Sequence, residues 1–434
     1  MPFPGLTALP FCFFLIACHH PPAITGAPKK VEVKKAEGVF RIYKNGKPFL
    51  IKGGSGFTHL RELAACGGNT IRTWDTTHLQ SILDEAHHYG LAAIVGLDLP
   101  VSTLLDEFYC NKQKTDSVYS AYQSIVRRFK NHPALLVWCL GNEIDFPYRP
   151  RFAAFYKTFN RLVAMIHEED PDHPVTTTLT NFQKRNIVNI KLKVRGLDFI
   201  SINTFNPLKT LEKDLQHFKW FWDGPYLITE WSPEGGWETQ VVKWLAPIEN
   251  TSTKKAELFR DFYQNYLPHK DPRFLGSLAF YWGWKEEYTH SWFSIFNEDG
   301  TPTEIVETLR DCWRDTVTHH QAVQLQYMLL DGKGAADNIL LSPGSTHQAS
   351  LLLAPGEHSD SLCFHWEIIR EDWWGHKKSH WTKPPAEQGL LIDSTTLQVA
   401  FRSPLKEGPY RIFVTAFNAK GFCATANTPF YVVE

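Results

Sequence analysis

The sequence lacks several features that would indicate common functions. It has no dense run of lysine or arginine, and its formal net charge is −1 over 434 residues. Proteins that bind nucleic acids or anionic membrane surfaces use a basic patch, so neither partner is expected. The eight cysteines show no CxxC spacing, which argues against zinc or redox chemistry, and no cofactor is expected. The segment GGSGFTHL after the first predicted strand lacks the glycine pattern of a dinucleotide-binding loop.

Aromatic side chains, by contrast, are abundant. They make up 14% of the residues and include 15 tryptophans. Many of them will fill cores, but a Trp ring also packs well against the C–H face of a sugar. The length and the 43% hydrophobic composition fit one large domain plus a smaller one.

The N-terminus resembles an export signal. Its apolar run, residues 6–18, is too short to cross a bilayer, which takes about 20 residues. The run ends in LIAC, which is similar to the lipobox of bacterial lipoproteins. We therefore predict a signal peptide over 1–17, a lipid anchor at Cys18 and a tether over 18–35, in a protein that faces outward from the bacterial cell envelope. A plain secreted protein is the alternative.

The next segment, residues 36–318, begins with a hairpin and then alternates apolar runs with helical periodicity. Amphipathic helices are predicted between most of the strands, but 181–196 forms a poor helical pattern. Eight such β-then-α units predict a (β/α)8 TIM barrel, with an open doubly wound sheet as the rival. The predicted strands are 49–54, 69–74, 92–97, 135–140, 174–179, 198–203, 225–230 and 276–282.

The C-terminal part, residues 325–434, shows short strands separated by Gly, Pro and Asn and no helical period. This pattern predicts an all-β, immunoglobulin-like sandwich. Because export would permit disulfides, Cys363 and Cys423 are a possible pair, and the sequence leaves that question open.

Two carboxylates stand at the ends of predicted barrel strands. Glu143 follows the fourth strand, and Glu230 ends the seventh. Either one alone would more often be a surface residue or a helix cap. Strand ends converge at one face of a barrel, however, and two facing carboxylates are the basic apparatus of glycoside hydrolysis.

The segments around these acids carry a family resemblance. WCLGNE at 138–143 and LITEW at 227–231 resemble the paired signatures of clan A retaining glycosidases, most closely the TIM-barrel domain of glycoside hydrolase family 2. GGNTIRTWD at 67–75, the NHP before the fourth strand and LAFYWGWK at 278–285 extend the resemblance. It implies a retaining β-glycosidase, although the β-sandwich domains that usually precede the family 2 barrel are not found in the sequence.

The resemblance also implies residue roles. Glu143 corresponds to the acid/base and Glu230 to the nucleophile, with Arg72 beside the nucleophile and Asn142 as the amide that binds the sugar 2-hydroxyl. We expect Arg72 to keep Glu230 ionised while Glu143, which faces that negative charge, keeps its proton. Further residues are predicted to line the sugar site: Asn203, Trp74, Trp231, Trp282 and Trp284.

Two alternative functions remain open at this point. A β-glucan transglycosylase would use the same residues with a sugar in place of water as the acceptor. A non-catalytic glycan-binding surface lipoprotein would keep the barrel without turnover. In each case the expected partner is an oligo- or polysaccharide, and the lipid anchor is the only expected contact with a membrane.

Overall fold

The structure, a computed structural model, describes residues 30–371, 382–393 and 396–434. The predicted signal peptide, Cys18 and most of the tether lie outside these residues. Within the described ranges, no helix combines the length and the apolar composition needed to cross a membrane.

A small antiparallel sheet comes first, with strands β1 (Val31–Ala36), β2 (Val39–Lys44) and β3 (Lys47–Phe49) in that order. It lies at the end of the barrel where the barrel strands begin. The backbone N–H groups of Val31 and Phe40 donate there to the carbonyls of Asp172 and Pro272, which precede two of those strands. Val31 and Ile42 are buried with apolar side chains from inside the barrel. The hairpin sheet therefore closes the bottom of the barrel.

Parallel strands form the barrel, as predicted. The fifth barrel strand is interrupted at Thr177 and counts as two pieces, so the order β8-β7-β6-β5-β4-β12-β11-β10-β9 describes a closed sheet of eight. The strands are β4 (Ile51–Ser55), β5 (Thr70–Arg72), β6 (Ala92–Leu97), β7 (Leu135–Leu140), β8 (Val175–Thr176), β9 (Thr178–Thr180), β10 (Ile200–Thr204), β11 (Tyr226–Trp231) and β12 (Phe274–Phe280).

Eight α-helices of the described ranges surround the barrel, one after each of its strands. Their apolar faces pack against the outer side of the sheet and form the largest hydrophobic core of the described residues. The helices are α1 (Leu60–Ala65), α2 (Leu79–His88), α3 (Lys112–Phe129), α4 (Ala153–Glu169), α5 (Lys184–Lys193), α6 (Leu208–His217), α7 (Ser252–Asn265) and α8 (Glu304–Arg314).

Helix α5 occupies the segment whose sequence forms a poor helical pattern, so that prediction was wrong. Its inward face carries Ile187 and Ile190, but also two buried asparagines. The Asn186 side chain accepts a hydrogen bond from the Phe146 backbone N–H at 3.1 Å, and Asn189 donates to the Phe146 carbonyl at 2.7 Å. These buried amides satisfy the backbone hydrogen-bonding groups of Phe146 in the loop after β7. They also interrupt the apolar periodicity by which a helix is recognised in the sequence.

The described residues of the C-terminal domain form two packed four-stranded sheets, which confirms the predicted sandwich. The sheets have the orders β13-β15-β18-β17 and β14-β20-β19-β16 and enclose a separate core around Trp366, Phe401 and Phe430. The strands are β13 (Leu325–Leu330), β14 (Leu340–Leu341), β15 (Thr346–Leu353), β16 (Leu362–Arg370), β17 (Leu391–Asp393), β18 (Gln398–Arg402), β19 (Gly408–Asn418) and β20 (Cys423–Val432).

The two cysteines considered for a disulfide do not pair. Cys363 on β16 and Cys423 on β20 flank the same residue of β19, Phe417, from opposite sides. Two strand spacings amount to about 9.5 Å, beyond the reach of a disulfide. Both thiols are free, and Cys423 is buried in contact with the Thr301 carbonyl.

The sandwich and the barrel share a buried polar contact centred on Glu249, in the loop after β11. Its carboxylate accepts hydrogen bonds from Lys255 at 2.5 Å, Thr289 at 2.6 Å and Ser291 at 2.9 Å, all from the barrel domain. Asn427 of β20 donates a fourth at 2.7 Å. One carboxylate thus joins the loops after β11 and β12 to the sandwich.

Candidate active site

Glu230 lies at the C-terminal end of β11, with only 5% of its surface exposed. Two donors converge on its Oε1: the Arg72 guanidinium at 2.5 Å and the Trp74 indole N–H at 2.8 Å. Arg72 is the last residue of β5, and Trp74 follows two residues later. The ends of the second and seventh barrel strands therefore meet at this carboxylate.

Glu143 is presented by a tight turn after β7. Gly141 has φ 78° and Glu143 has φ 54°, so both lie in the left-handed region. A Cβ on Gly141 would fall 2.1 Å from the Ile144 Cδ1, which explains the glycine. The left-handed conformation costs a residue such as Glu roughly 1–2 kcal/mol. Strain of this kind often marks a functional position, and here it holds an exposed carboxylate at the barrel mouth.

Asn203 and Arg72 connect the two acids. Asn203 donates from Nδ2 to the Glu143 carboxylate at 2.9 Å, and its Oδ1 accepts from Arg72 at 3.4 Å. Arg72 also donates to the side-chain Oδ1 of Asn142 at 2.6 Å. Asn203 and Glu230 are paired neighbours on β10 and β11, just after a bulge in β11 that leaves Thr229 without a partner in the ladder. With Trp74, six of the predicted site residues therefore form one hydrogen-bonded cluster.

Hydroxyl groups inside the barrel support this cluster from below. The Thr229 hydroxyl donates to the side-chain Oδ1 of Asn203 at 2.9 Å, and the Thr178 hydroxyl accepts from Arg72 at 3.3 Å. Both threonines are buried. The sequence analysis did not identify them. Thr178 lies in the fifth strand, whose inward-facing side chains reach the site. Thr229 directly precedes Glu230, and only the bulge in β11 lets both side chains face inward, which strand alternation does not predict.

The ionisation of Glu230 depends on opposing effects. Burial raises the pKa of its carboxyl, and the nearby negative charge of Glu143 raises it further. The charge of Arg72, the Trp74 hydrogen bond and the charge of Lys285 all lower it. The net direction is upward, because burial outweighs the guanidinium. Arg72 acts in the direction that was expected of it, and the ionised state of Glu230 stays a prediction.

Two of the predicted sugar-lining tryptophans lie elsewhere. Trp231 follows Glu230 on the strand, points to the opposite face and packs against Phe259 and Tyr263 of α7. Trp282 is fully buried; it donates to the His59 carbonyl at 3.3 Å and packs against Trp313. Both belong to the hydrophobic core between the barrel sheet and the surrounding helices. Their assignment to the sugar site is therefore corrected.

Trp284 is half-buried, and its indole nitrogen has no hydrogen-bond partner within the part of the chain that the structure describes. Its predicted sugar contact stays a prediction.

The eighth barrel strand approaches the cluster through Phe280, its last residue. Its ring lies 6.1 Å from Trp74, edge to face, and belongs to an aromatic cluster at the barrel mouth with Phe205 and Phe293. The Lys285 ammonium lies 4.8 Å above the same ring. A signal for Phe280 was present, because it lies in the predicted eighth strand two residues before Trp282 and therefore on the same face of that strand.

No group of three or more His, Cys, Asp or Glu side chains within the described ranges could hold a metal ion. The cluster offers two carboxylates, a guanidinium and two amides. Such a set can supply a nucleophile, a proton donor and donors to sugar hydroxyls.

Comparison with known proteins bears on this chemistry. Residues 73–315 match the model of the glycosyl hydrolases family 2 TIM barrel domain. The β-glucuronidase of Felis catus is 29% identical over 178 residues, which cover 37% of this chain and 26% of the relative. The β-galactosidase of Photobacterium profundum is 26% identical over 165 residues, which cover 34% of this chain and 15% of the relative.

A solved structure is also similar. The β-glucuronidase of Bifidobacterium dentium, complexed with coumarin-3-O-glucuronide, superposes with a TM-score of 0.52 at 21% identity, and the match covers 67% of this chain and 50% of that one. At this identity the likeness concerns the fold. The chain thus spans about a quarter or less of the curated relatives' length and half of that of the solved structure.

Proposed function

Because the chain belongs to glycosyl hydrolases family 2, we propose that it hydrolyses the bonds of a β-linked glycan by double displacement, with Glu230 as the nucleophile and Glu143 as the acid/base. The observation that carries this proposal is the joining of both carboxylates through Asn203 and Arg72. Acids from the fourth and seventh barrel strands thereby share one site at the open end of the barrel.

In the first step, an oxygen of Glu230 attacks the anomeric carbon while Glu143 gives its proton to the leaving glycosidic oxygen. Both donors to Glu230 bind Oε1, so we assign the attack to Oε2. The C–O bond to the leaving group breaks, and a glycosyl ester forms. In the second step, Glu143 takes a proton from water, which attacks the same carbon and releases Glu230.

Asn142 is proposed as the group that binds the sugar 2-hydroxyl. Its side-chain Oδ1 already accepts from Arg72 at 2.6 Å and from Asn203 at 3.3 Å. These bonds fix the orientation of the amide and leave its N–H group as the donor toward substrate. A contact to the 2-hydroxyl strengthens as the transition state develops and contributes directly to rate.

A screen of 4-nitrophenyl β-glycosides tests the proposal, with glucuronides and galactosides included because the matched relatives bear those names. Wild type should turn over at least one of them, and NMR should show that the first product keeps the β configuration. Glu230→Ala should abolish turnover, and added azide should restore it with formation of an α-glycosyl azide. Inversion by the wild type would contradict double displacement.

Glu234→Gln is the matched control, since this acid stands in the loop just after β11 and is hydrogen-bonded to Asn250 instead. It should retain turnover and labelling by a mechanism-based fluoroglycoside, whereas Glu230→Gln should not be labelled. Labelling of Glu230→Gln at another acid would reassign the nucleophile. Products longer than the substrate would indicate a transglycosylase, and glycan retention on an affinity gel without any turnover would indicate a binding protein.

We also propose that Cys18 attaches the protein to the cell envelope. The motif LIAC at the end of the apolar run supports this. Expression in a bacterial host with labelled palmitate should give a labelled membrane-bound protein, and Cys18→Ser should lose both the label and the membrane association. An unlabelled wild type in the culture medium would instead indicate secretion.

A further inference from the structure

We propose that the indole of Trp237 is the platform of a second sugar subsite, separate from the ring held between Glu143 and Glu230. This inference rests on the proposed function of the same site. It assigns an oligosaccharide or polysaccharide, rather than a single sugar on a small aglycone, as the preferred ligand. Trp237 stands in the loop after β11, seven positions beyond Glu230.

The side chain of Trp237 is exposed but firmly held. It is 52% exposed, yet its ring contacts Phe205 edge to face at 5.1 Å and both Phe293 and Tyr288 at 6.0 Å. Aromatic pairs at such distances stabilise a fixed ring orientation. A rigid indole that leaves a large surface open to solvent can bind a flat apolar face with little loss of conformational entropy.

The loop backbone approaches these rings so closely that only glycine fits at two positions. A Cβ on Gly235 would lie 2.4 Å from the Trp237 ring, and a Cβ on Gly236 would lie 2.6 Å from the Tyr288 ring. The Glu238 carboxylate accepts from the N–H of Gly235 at 2.9 Å and of Asn206 at 3.1 Å. The loop is therefore anchored to the end of β10 and keeps Trp237 in place without a ligand.

A chain of aromatic rings in contact with one another connects Trp237 to the carboxylates. Trp74, which bonds Glu230, lies 6.1 Å from Phe280; Phe280 lies 5.7 Å from Phe205; and Phe205 lies 5.1 Å from Trp237. Trp237 thus stands three ring-to-ring steps from the indole that contacts the nucleophile. A sugar stacked on it is a different unit from the one being cleaved.

Trp220 shows that exposure alone does not define such a site. It is 81% exposed, but it follows α6 at the end of the barrel where β11 begins, away from the carboxylates. It therefore provides a matched control: the same side chain, more exposed, at the opposite end of the barrel.

The experiment compares 4-nitrophenyl monoglycosides with cello-, laminari- and β-1,4-galacto-oligosaccharides of two to six units. Relative to wild type, Trp237→Ala should lower kcat/KM for the longest cleaved oligosaccharide about three- to tenfold more than for the monoglycoside, the range expected for one lost aromatic stacking contact. Trp237→Phe should recover most of this difference, and Trp220→Ala should change neither value. Equal losses on both kinds of substrate, or no loss, would overturn the subsite.

A binding measurement separates this inference from the proposed catalysis. Titration calorimetry of Glu230→Gln with the same oligosaccharides should show affinity that rises with chain length, and the additional Trp237→Ala substitution should remove the rise. If wild type cleaves none of the probes but this length dependence is present, the proposed hydrolysis fails and the subsite stands. If affinity is independent of length while wild type hydrolyses the monoglycosides, the subsite fails and the proposed hydrolysis stands.

Discussion

Glu230 is buried so deeply that a few neighbouring groups govern its ionisation. Desolvation raises its pKa, and the facing Glu143 adds to this, while Arg72 and Trp74 oppose it. The proposed reaction requires the ionised form, because only a carboxylate can attack the anomeric carbon. The acidic limb of the pH–rate profile is therefore expected to report this group.

Glu143→Gln should move that limb to lower pH. The substitution removes the negative charge that raises the pKa of Glu230, so the carboxylate forms in more acidic solution and activity persists there. The measurement is kcat/KM against pH for a 2,4-dinitrophenyl glycoside, whose leaving group needs no proton, with azide present to resolve the intermediate. A limb that stays in place or moves to higher pH would contradict the assignment of Glu230 as the titrating nucleophile.

Arg72→Lys should lower kcat/KM by about 10²–10³-fold although it conserves charge. The guanidinium contacts Glu230, Asn142 and Asn203 at once, and a single ammonium cannot reproduce this fork. Kinetics on the same aryl glycosides and circular dichroism provide the measurement.

Arg72→Met is the comparison, since it also removes the charge that lowers the pKa of Glu230. Its acidic limb should lie at higher pH than that of Arg72→Lys. Wild-type rates in either variant would show that Arg72 only fills the barrel.

At the scale of elements, the loops after β11 and β12 form part of the barrel mouth, and hydrogen bonds to the Glu249 carboxylate hold both of them. Burial would raise the pKa of this carboxyl, but the charges of Lys255 and Arg411 and its hydrogen bonds lower it from 4.5 to about 2. A group with a lowered folded-state pKa stabilises the fold above its unfolded pKa. That contribution is lost as pH falls through the folded value.

Glu249→Gln should therefore reduce the free energy of unfolding by about 3 kcal/mol at neutral pH, because it leaves Lys255 as a buried, uncompensated charge. The difference from wild type should shrink as pH falls from about 4.5 toward 2. Urea unfolding at several pH values measures it.

Glu257→Gln is the control for this substitution, since Glu257 pairs with Lys254 at 2.6 Å in an exposed salt bridge. It should cost less than about 1 kcal/mol. Equal effects of the two substitutions would show that burial of Glu249 contributes nothing.

The strands of the barrel were predictable because buried parallel strands are continuous apolar runs, such as LLVWCL before Glu143. Because side chains alternate along a strand, Trp231 points to the face of β11 away from Glu230. The family resemblance led us to overlook this consequence. Trp282 differs: it lies beyond the end of β12, where alternation no longer applies. The helix α5 was missed because Asn186 and Asn189 bond the loop after β7, a contact between distant segments that a local pattern does not contain.

At the scale of the whole molecule, the sandwich is attached to the barrel by buried hydrogen bonds rather than by a loose linker. Arg411 of β19 donates to the Pro247 carbonyl at 2.7 Å, next to Glu249 in the loop that carries Trp237. The N–H groups of Leu325 and Thr425 donate to side chains at the start of α7, at 2.8 and 2.9 Å. The C-terminal domain therefore helps to hold the loops after β11 and β12 in place.

Such an interface predicts that barrel and sandwich unfold together. Separating them would break the contact of Asn427 with Glu249 and release the loops that hold Trp237 and Tyr288, so neither domain keeps its native surroundings alone. Differential scanning calorimetry should show one transition with a calorimetric enthalpy close to the van't Hoff enthalpy. Asn427→Ala should lower the Tm of this transition or divide it in two. Two resolved transitions in the wild type would show that the domains are energetically independent and that the sandwich does not support the mouth.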